Sequence, residues 1–392
     1  MFLAAITGLV CILASATPDV SAYPSIQAAI DANPGQMIFV PGGDYTLSET
    51  LRIVTDNTGL YGYGRLLQTN PKATILDING AAGVRIRDLT FQRAPGAEDA
   101  EANGIICRDA RNVTLENLRV QDCRARAAAV ELRDCRDCTV RNCDILNYKR
   151  IAVDDRTESP LYGYAFKCID GTGILVTNAT GTVLESNRVT EERLLPTREI
   201  MDQFQLGELT DGRYPTNPGQ LAAEAKRYHR VTNWHQGSAI VVTGPETPRH
   251  TRIQNNHLVN AAQGIDMHCD HAVVTGNVVD HAMIGLKMTH GCRNIILANN
   301  LVTHVDLWGI VVNPGAASHA AEPATPEHPA RDANVDAGIL IEGNIITDFG
   351  YGNDFWNWGG RTEEHDGAYA IAFLGAQLDT NPPLTDILVR GN

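Results

Sequence analysis

Asp266, His268 and Lys287 are the residues whose types and spacing point most directly to chemistry. Asp266 and His268 are two positions apart, the separation at which extended-chain side chains share a face. Lys287 follows Asp266 by 21 residues, close to a period at which the surrounding sequence repeats itself. A carboxylate, an imidazole and an ammonium on one wall can orient, accept and donate protons and neutralise an anion. More groups crowd the same stretch. Nine of the twelve histidines lie between residues 229 and 304, namely His229, His235, His250, His257, His268, His271, His281, His290 and His304. Most histidines in such a cluster serve turns or hydrogen bonds rather than catalysis. Besides the first three, the candidates are His235 as acid or base, Asp270 beside Asp266 as a metal ligand, and Arg230, Trp234, His290 and Trp308 as substrate contacts.

The elements that must position these groups are short strands. A unit of about 22 residues recurs as an apolar run ending in Asn, with an aliphatic residue following. It appears around Asn256, Asn277, Asn300, Asn344 and Asn392, and the first four anchors are spaced by 21, 23 and 44 residues, the last being two periods. One such unit cannot bury its apolar face alone, so the period predicts stacked coils. The runs of Val, Ile and Leu within each unit are too short for helices and are punctuated by Gly, Asn or Asp. Stacking places equivalent positions about 4.8 Å apart, with aliphatic ladders inside. Asn256, Asn277, Asn300 and Asn344 are then expected to form a buried amide ladder.

Aligning the inward aliphatic residues Ile105, Val130, Ile174, Ile240, Ile265, Leu286 and Ile310 gives one outward column through Asp266 and Lys287, and another through Arg108, Arg133 and His268. Asp266 and Lys287 are thereby expected side by side on the solvent face. The segment 107–118 superposes on 132–143, so that Cys107 exchanges with Leu132, Cys138 with Val113 and Cys143 with Leu118. A cysteine that alternates with aliphatic residues is a small buried hydrophobe. Cys135 and Cys138 form an isolated CxxC with no second pair, so no zinc centre is expected there.

Tyr23-Pro24-Ser25-Ile26-Gln27-Ala28-Ala29-Ile30-Asp31, followed by Ile38-Phe39-Val40-Pro41-Gly42-Gly43-Asp44-Tyr45, resembles the entry of the pectate-lyase superfamily. The resemblance implies an all-β fold, a right-handed parallel β-helix, whose first coil is capped by an amphipathic helix. It extends from about residue 20 to the end and is far more specific for fold than for reaction. It also implies a carbohydrate substrate, most simply a polysaccharide containing uronate and cleaved by β-elimination. In that plan Lys287 is the base, His268 or His235 the acid or base, and Ca2+ is held by Asp266 and Asp270. Asp266 beside Lys287 would stabilise the ammonium, however, and weaken it as a base. In the alternative a histidine is the base and Lys287 neutralises the substrate carboxylate. A hydrolase or fructan-type transferase would need paired carboxylates, for which Asp154-Asp155, Asp266 and Asp270 are candidates. A non-catalytic carbohydrate-binding spike would not need the His, Lys and Asp concentration.

The composition sets bounds. The chain has 392 residues, 43% hydrophobic and 20% charged, with 35 glycines for coil corners. A continuous repeat lets one domain, 17–392, use this length. The net charge of −14 argues against general affinity for nucleic acid, though a groove can be locally basic. Residues 1–16 read as an export signal, predicting a secreted or periplasmic protein, and are too short for a membrane span. Of nine cysteines, Cys11 would leave with it, and the remaining eight permit disulfides whose pairing spacing does not reveal. Two stretches leave the repeat. One, 191–234, contains helix-like segments at 198–206 and 219–228, and the other, 316–336, reads as a polar loop. The chain stops mid-coil at 388–392, so a further coil or a partner is expected over that end.

Overall fold

The computed structural model describes residues 17–154, 165–209, 234–315, 317–326, 329–350, 368–375 and 379–392. The repeat becomes a right-handed parallel β-helix. The coils stack in three parallel strand ladders, and the strands of each ladder come from successive coils. The opening is as expected. Helix α1, Ile26–Ala32, is capped by Ser25, whose hydroxyl accepts a hydrogen bond from the Ala28 amide at 3.1 Å, and it buries Ile26, Ala29 and Ile30 over the first coil. Such a cap satisfies one of the orphan donors at a helix start.

One sheet carries the candidate chemistry and is called the site sheet below. Its strands include Ile105–Arg108, Val130–Arg133 and Ile174–Thr177, continuing through residues 240–243, 265–268, 286–289 and 310–313. The alternation read from the sequence holds rung by rung. Ile105, Val130, Ile174, Ile240, Ile265, Leu286 and Ile310 pair in register and point inward, each no more than 1% exposed. They belong to one contiguous apolar cluster running the length of the stack. All the described cysteines except Cys168 take places in it. All eight described cysteines are buried and free, and burial pushes the thiols of Cys123 and Cys143 up to about 12.

The amide ladder also forms and is longer than its repeat phrase indicates. Asn187, Asn256, Asn277, Asn300, Asn344 and Asn392 stand in one column. Each of the first five donates both its backbone N–H and its side-chain Nδ2 to the Oδ1 of the next, at 2.8–3.0 Å. The corner thus satisfies polar backbone groups inside the cylinder, where an orphan would be costly.

The histidine excess has a structural origin at other corners. His250, His271, His281, His290 and His304 all have φ between 52° and 63°. For His250, His271, His281 and His304, the flanking coils hold Asn, Asp or Gly at the same left-handed corner. His250 and His271 share their column with Asn112, Asp137, Asn294 and Gly338, as the strand register requires. Histidine is among the few residues enriched in this conformation.

The excursions behave differently. The first contains α2, Arg198–Phe204, near the expected place, while the expected helix at 219–228 lies outside the described residues, as do residues 1–16. The second folds back on itself through antiparallel bridges between His319 and Asn334 and between Glu322 and Arg331. Arg331 pairs with Glu246, which anchors this flap over the site sheet side. Among the described residues, no helix is long and apolar enough to cross a membrane.

Candidate functional site

Val241, Asp266, Lys287 and Val311 pair in one outward column, and Thr243 pairs with His268 in the column two residues on. The fold therefore brings the three leading candidates together. His268 Nε2 lies 3.1 Å and Lys287 Nζ 3.5 Å from the same atom, Asp266 Oδ1. The Asp266 side chain is 11% exposed, while those of His268 and Lys287 are 20% and 21% exposed. The carboxylate is thus a nearly covered hub with two accessible arms.

Burial alone would push the Asp266 carboxyl up, but His268 and Lys287 outweigh it and hold the group well below the usual carboxylate range. Asp266 is accordingly an anion at all ordinary pH. Lys287 Nζ is thus paired with this carboxylate, the juxtaposition behind the objection to a lysine base already raised by the sequence. With Nε2 directed at Asp266, His268 has Nδ1 left to exchange a proton with a substrate. The carboxylate orients the ring and fixes its tautomer.

His290 completes the cluster. Its ring stands edge-on to His268, with centroids 4.7 Å apart and planes at 89°. The Ala317 amide, from the second excursion, donates to His290 Nδ1 at 3.2 Å. Burial, reinforced by the charges of His268 and Lys287, lowers its pKa to about 4. A neutral ring whose Nδ1 accepts a hydrogen bond carries its proton on Nε2, which makes His290 a donor to substrate and a poor base. Gly315 packs against it so tightly that an added Cβ would lie 2.2 Å from Nδ1.

This sets a pH dependence of stability. Unfolded, His290 titrates near 6.5; folded, near 4. The unfolded chain therefore binds a proton in this window that the native one does not. Stability associated with neutral His290 is complete above pH 6.5 and falls as pH drops towards 4, by at most about 3 kcal/mol. Urea unfolding at a series of pH values should show this acid slope in the wild type and a shallower one in His290→Asn, since Asn tolerates the left-handed corner. Equal slopes would contradict the assignment.

Asp336 is a group that the sequence did not single out. It is 2% exposed and its carboxylate accepts from the Gly291 and Cys292 amides and the Ser318 hydroxyl at 2.9–3.2 Å. Burial raises its pKa against these bonds and against the nearby charge of His268. It joins the second excursion to the corner that presents His290, a connection outside the repeat and so without a sequence signal.

Other candidates are corrected. His235 is 3% exposed, and its Nε2 lies 3.1 Å from Nζ of the fully buried Lys149. Desolvation, then the Lys149 charge, drives its pKa well down, so it is an interior group rather than a proton donor on the strip. Trp234 is 2% exposed and packs with Ile169, Leu194, Met201 and Leu206 beneath the first excursion, which excludes an exposed sugar platform. Trp308 is half-buried against a small apolar cluster outside the main core, formed by Ala262, Met283, Ile284, Leu307, Val311 and Ala372. Arg230 and Asp155 lie outside the described residues, and Asp154 is buried.

Asp270 does not join Asp266 as a cation ligand. Its carboxylate is held by Arg293 at 2.9 Å, Asn294 at 2.8 Å and His271 at 2.6 Å. Asp266 itself faces an ammonium and an imidazole. Calcium takes six to eight oxygen ligands, so these residues do not fit the calcium ion implied by the resemblance.

A family model described as "Right handed beta helix region" matches residues 69–195. A search of curated proteins found no match. Among solved structures, a tailspike protein mutant of E. coli bacteriophage HK620 in complex with a pentasaccharide is similar with a TM-score of 0.54 and 13% identity, over 92% of this chain and 61% of that one. An alginate lyase from Paenibacillus sp. str. FPU-7 gives a TM-score of 0.47 and 15% identity, over 84% of this chain and 96% of that one. The A-module of a mannuronan C-5 epimerase from Azotobacter vinelandii gives 0.44 and 12%, over 96% and 100%. These likenesses are of fold.

Proposed function

We propose that this β-helix is a polysaccharide-processing enzyme that acts on a uronate-containing polymer by β-elimination, on the strip formed by Asp266, His268, Lys287 and His290. The observation that carries the reading is the ionised Asp266 held between an imidazole and an ammonium on the outer face of adjacent coils. β-Elimination needs the substrate carboxylate neutralised, so that the proton beside it can be lost, then a base for that proton and a donor for the departing oxygen. Lys287 supplies the neutralising charge. His268, oriented by Asp266, removes the C5 proton through Nδ1, and the electron pair left on C5 forms the new double bond as the C4–O bond breaks. The departing oxygen takes up a proton from water, and the His290 Nε2–H offsets the charge developing on it by hydrogen bonding.

One feature favours an anionic polymer and another a sugar polymer. Arg108 and Arg133 share the outward column of His268, four and three rungs away, or roughly 19 and 14 Å at the usual strand spacing. Their side chains are 43% and 46% exposed even while paired with Asp77 and Glu131. A chain lying along the strip would thus meet several cations, although the protein as a whole is acidic. The similar tailspike protein was solved with a pentasaccharide bound, which agrees with a sugar polymer as the class of substrate.

Incubation with pectate, alginate and glucuronan, each with and without EDTA, tests the reading. Ultraviolet absorbance from unsaturated uronate ends is expected on at least one polymer and should be insensitive to EDTA. Reducing ends without that absorbance would mean hydrolysis. Binding without product would leave a carbohydrate-binding protein.

A further inference from the structure

A second group of donors lies away from the Asp266 strip, at the corner where the chain passes towards the site sheet. Val259, Asp280, Thr303 and Thr347 pair in register across four coils. The residues that follow them, Asn260, His281, His304 and Asp348, consequently occupy one column, all left-handed with φ of 59°, 60°, 52° and 51°. Asn or Asp suffices to make this turn. Histidines in two consecutive coils add something else. Their rings stack with centroids 4.6 Å apart and planes 10° from parallel. Both Nδ1 atoms converge on a single carboxylate oxygen, Asp280 Oδ1, at 2.8 Å from His281 and 3.1 Å from His304.

We propose that Asp280, His281 and His304 form a binding site for one divalent first-row transition-metal ion, zinc being the best match. A tetrahedral ion with ligand bonds of about 2.0–2.1 Å holds its donors roughly 3.3 Å apart. The three donor atoms here lie within 4.8 Å of one another, and the two separations to Asp280 Oδ1, 2.8 and 3.1 Å, are within roughly 0.5 Å of that edge. Two imidazole nitrogens and one carboxylate oxygen suit a borderline cation and not calcium, which takes oxygen alone. Three protein ligands leave a position for water.

The corner is also organised before an ion arrives. The strand ladder sets the backbone, the ring stack limits the side-chain rotamers, and little ordering entropy remains to be lost on binding. Side-chain exposures of 32%, 26% and 44% for Asp280, His281 and His304 leave the donors open to solvent. The next rung brings another carboxylate to the edge. Asp348 Oδ2 lies 3.4 Å from Thr303 Oγ1, which is 3.3 Å from His304 Nδ1. Because its ligands come from two successive coils, the ion ties them together beside the Trp308 cluster.

The test uses the full chain without a polyhistidine tag, stripped with EDTA and titrated with zinc chloride by calorimetry. One equivalent is expected to bind, with affinity reduced at least tenfold in His281→Asn and in His304→Asn. Asn is the replacement because Asn260 already adopts the same turn one coil earlier. Zinc should raise the thermal midpoint of the wild type and of Lys287→Ala by the same amount, and that of neither histidine variant. No stoichiometric binding to the wild type, or unchanged binding to His304→Asn, would overturn the site, as would loss of binding in His268→Asn alone. If a corner variant misfolds, diethyl pyrocarbonate modification of the wild type decides. Protection of His281 and His304 by zinc supports the site, and equal modification with and without zinc overturns it.

Discussion

Lys287→Ala is expected to lower kcat/KM by about a thousandfold or more, while the urea midpoint stays near that of the wild type. The magnitude follows from removing the one ammonium at the strip's centre, since a charged group that stabilises developing negative charge in a sheltered site is typically worth 10²–10³ or more. Folding should survive because the side chain projects outward, 21% exposed, and contributes nothing to the aliphatic ladder. Lys287→Arg then separates two roles. Arginine cannot act as a base in a protein but retains the positive charge. A neutralising Lys287 therefore predicts substantial recovery in the arginine variant relative to alanine, and a basic Lys287 predicts none. A wild-type rate in Lys287→Ala would remove the residue from the mechanism altogether.

The second large effect is on stability. Asn277→Ala should destabilise the protein by about 2–4 kcal/mol, read as a lower urea midpoint at unchanged slope. Asn277 is completely buried, and its Oδ1 accepts from both the amide and the Nδ2 of Asn256, while its own Nδ2 donates to Ile253 O and to Asn300 Oδ1. Truncation leaves partners on both sides without their bonds where no solvent can replace them. Because the rungs polarise one another, the loss should exceed that of an isolated side-chain hydrogen bond. A change below about 0.5 kcal/mol would mean that the ladder records geometry and adds little to stability.

Where the period holds, the sequence was an accurate guide to three dimensions. The pairing of Asp266 with Lys287, and the place of His268 in the column of Arg108 and Arg133, follow from counting residues between aliphatic rungs, because a one-residue slip would turn every side chain to the other face. Cys107, Cys138 and Cys143 were legible as core residues for the same reason. Trp234 and His235 were not legible as buried: they sit at the end of an excursion, where no neighbouring rung says which way a side chain points. Asp336 eluded the reading because its partners, Ser318 and the Gly291 and Cys292 amides, are joined through a loop of irregular length. The histidine cluster was visible as composition, but its division between left-handed corners and the reactive strip depends on backbone angles that spacing alone does not give.

Seven of the eight described cysteines sit in the stacked core, and none of the eight is bridged to another. Stacked aliphatics and the amide ladder fill the interior between them. The thiols, sealed away from solvent, are poor targets for alkylating reagents until a coil opens, so labelling kinetics at Cys269 and Cys292 would report the opening of the rungs that carry Asp266 and His290.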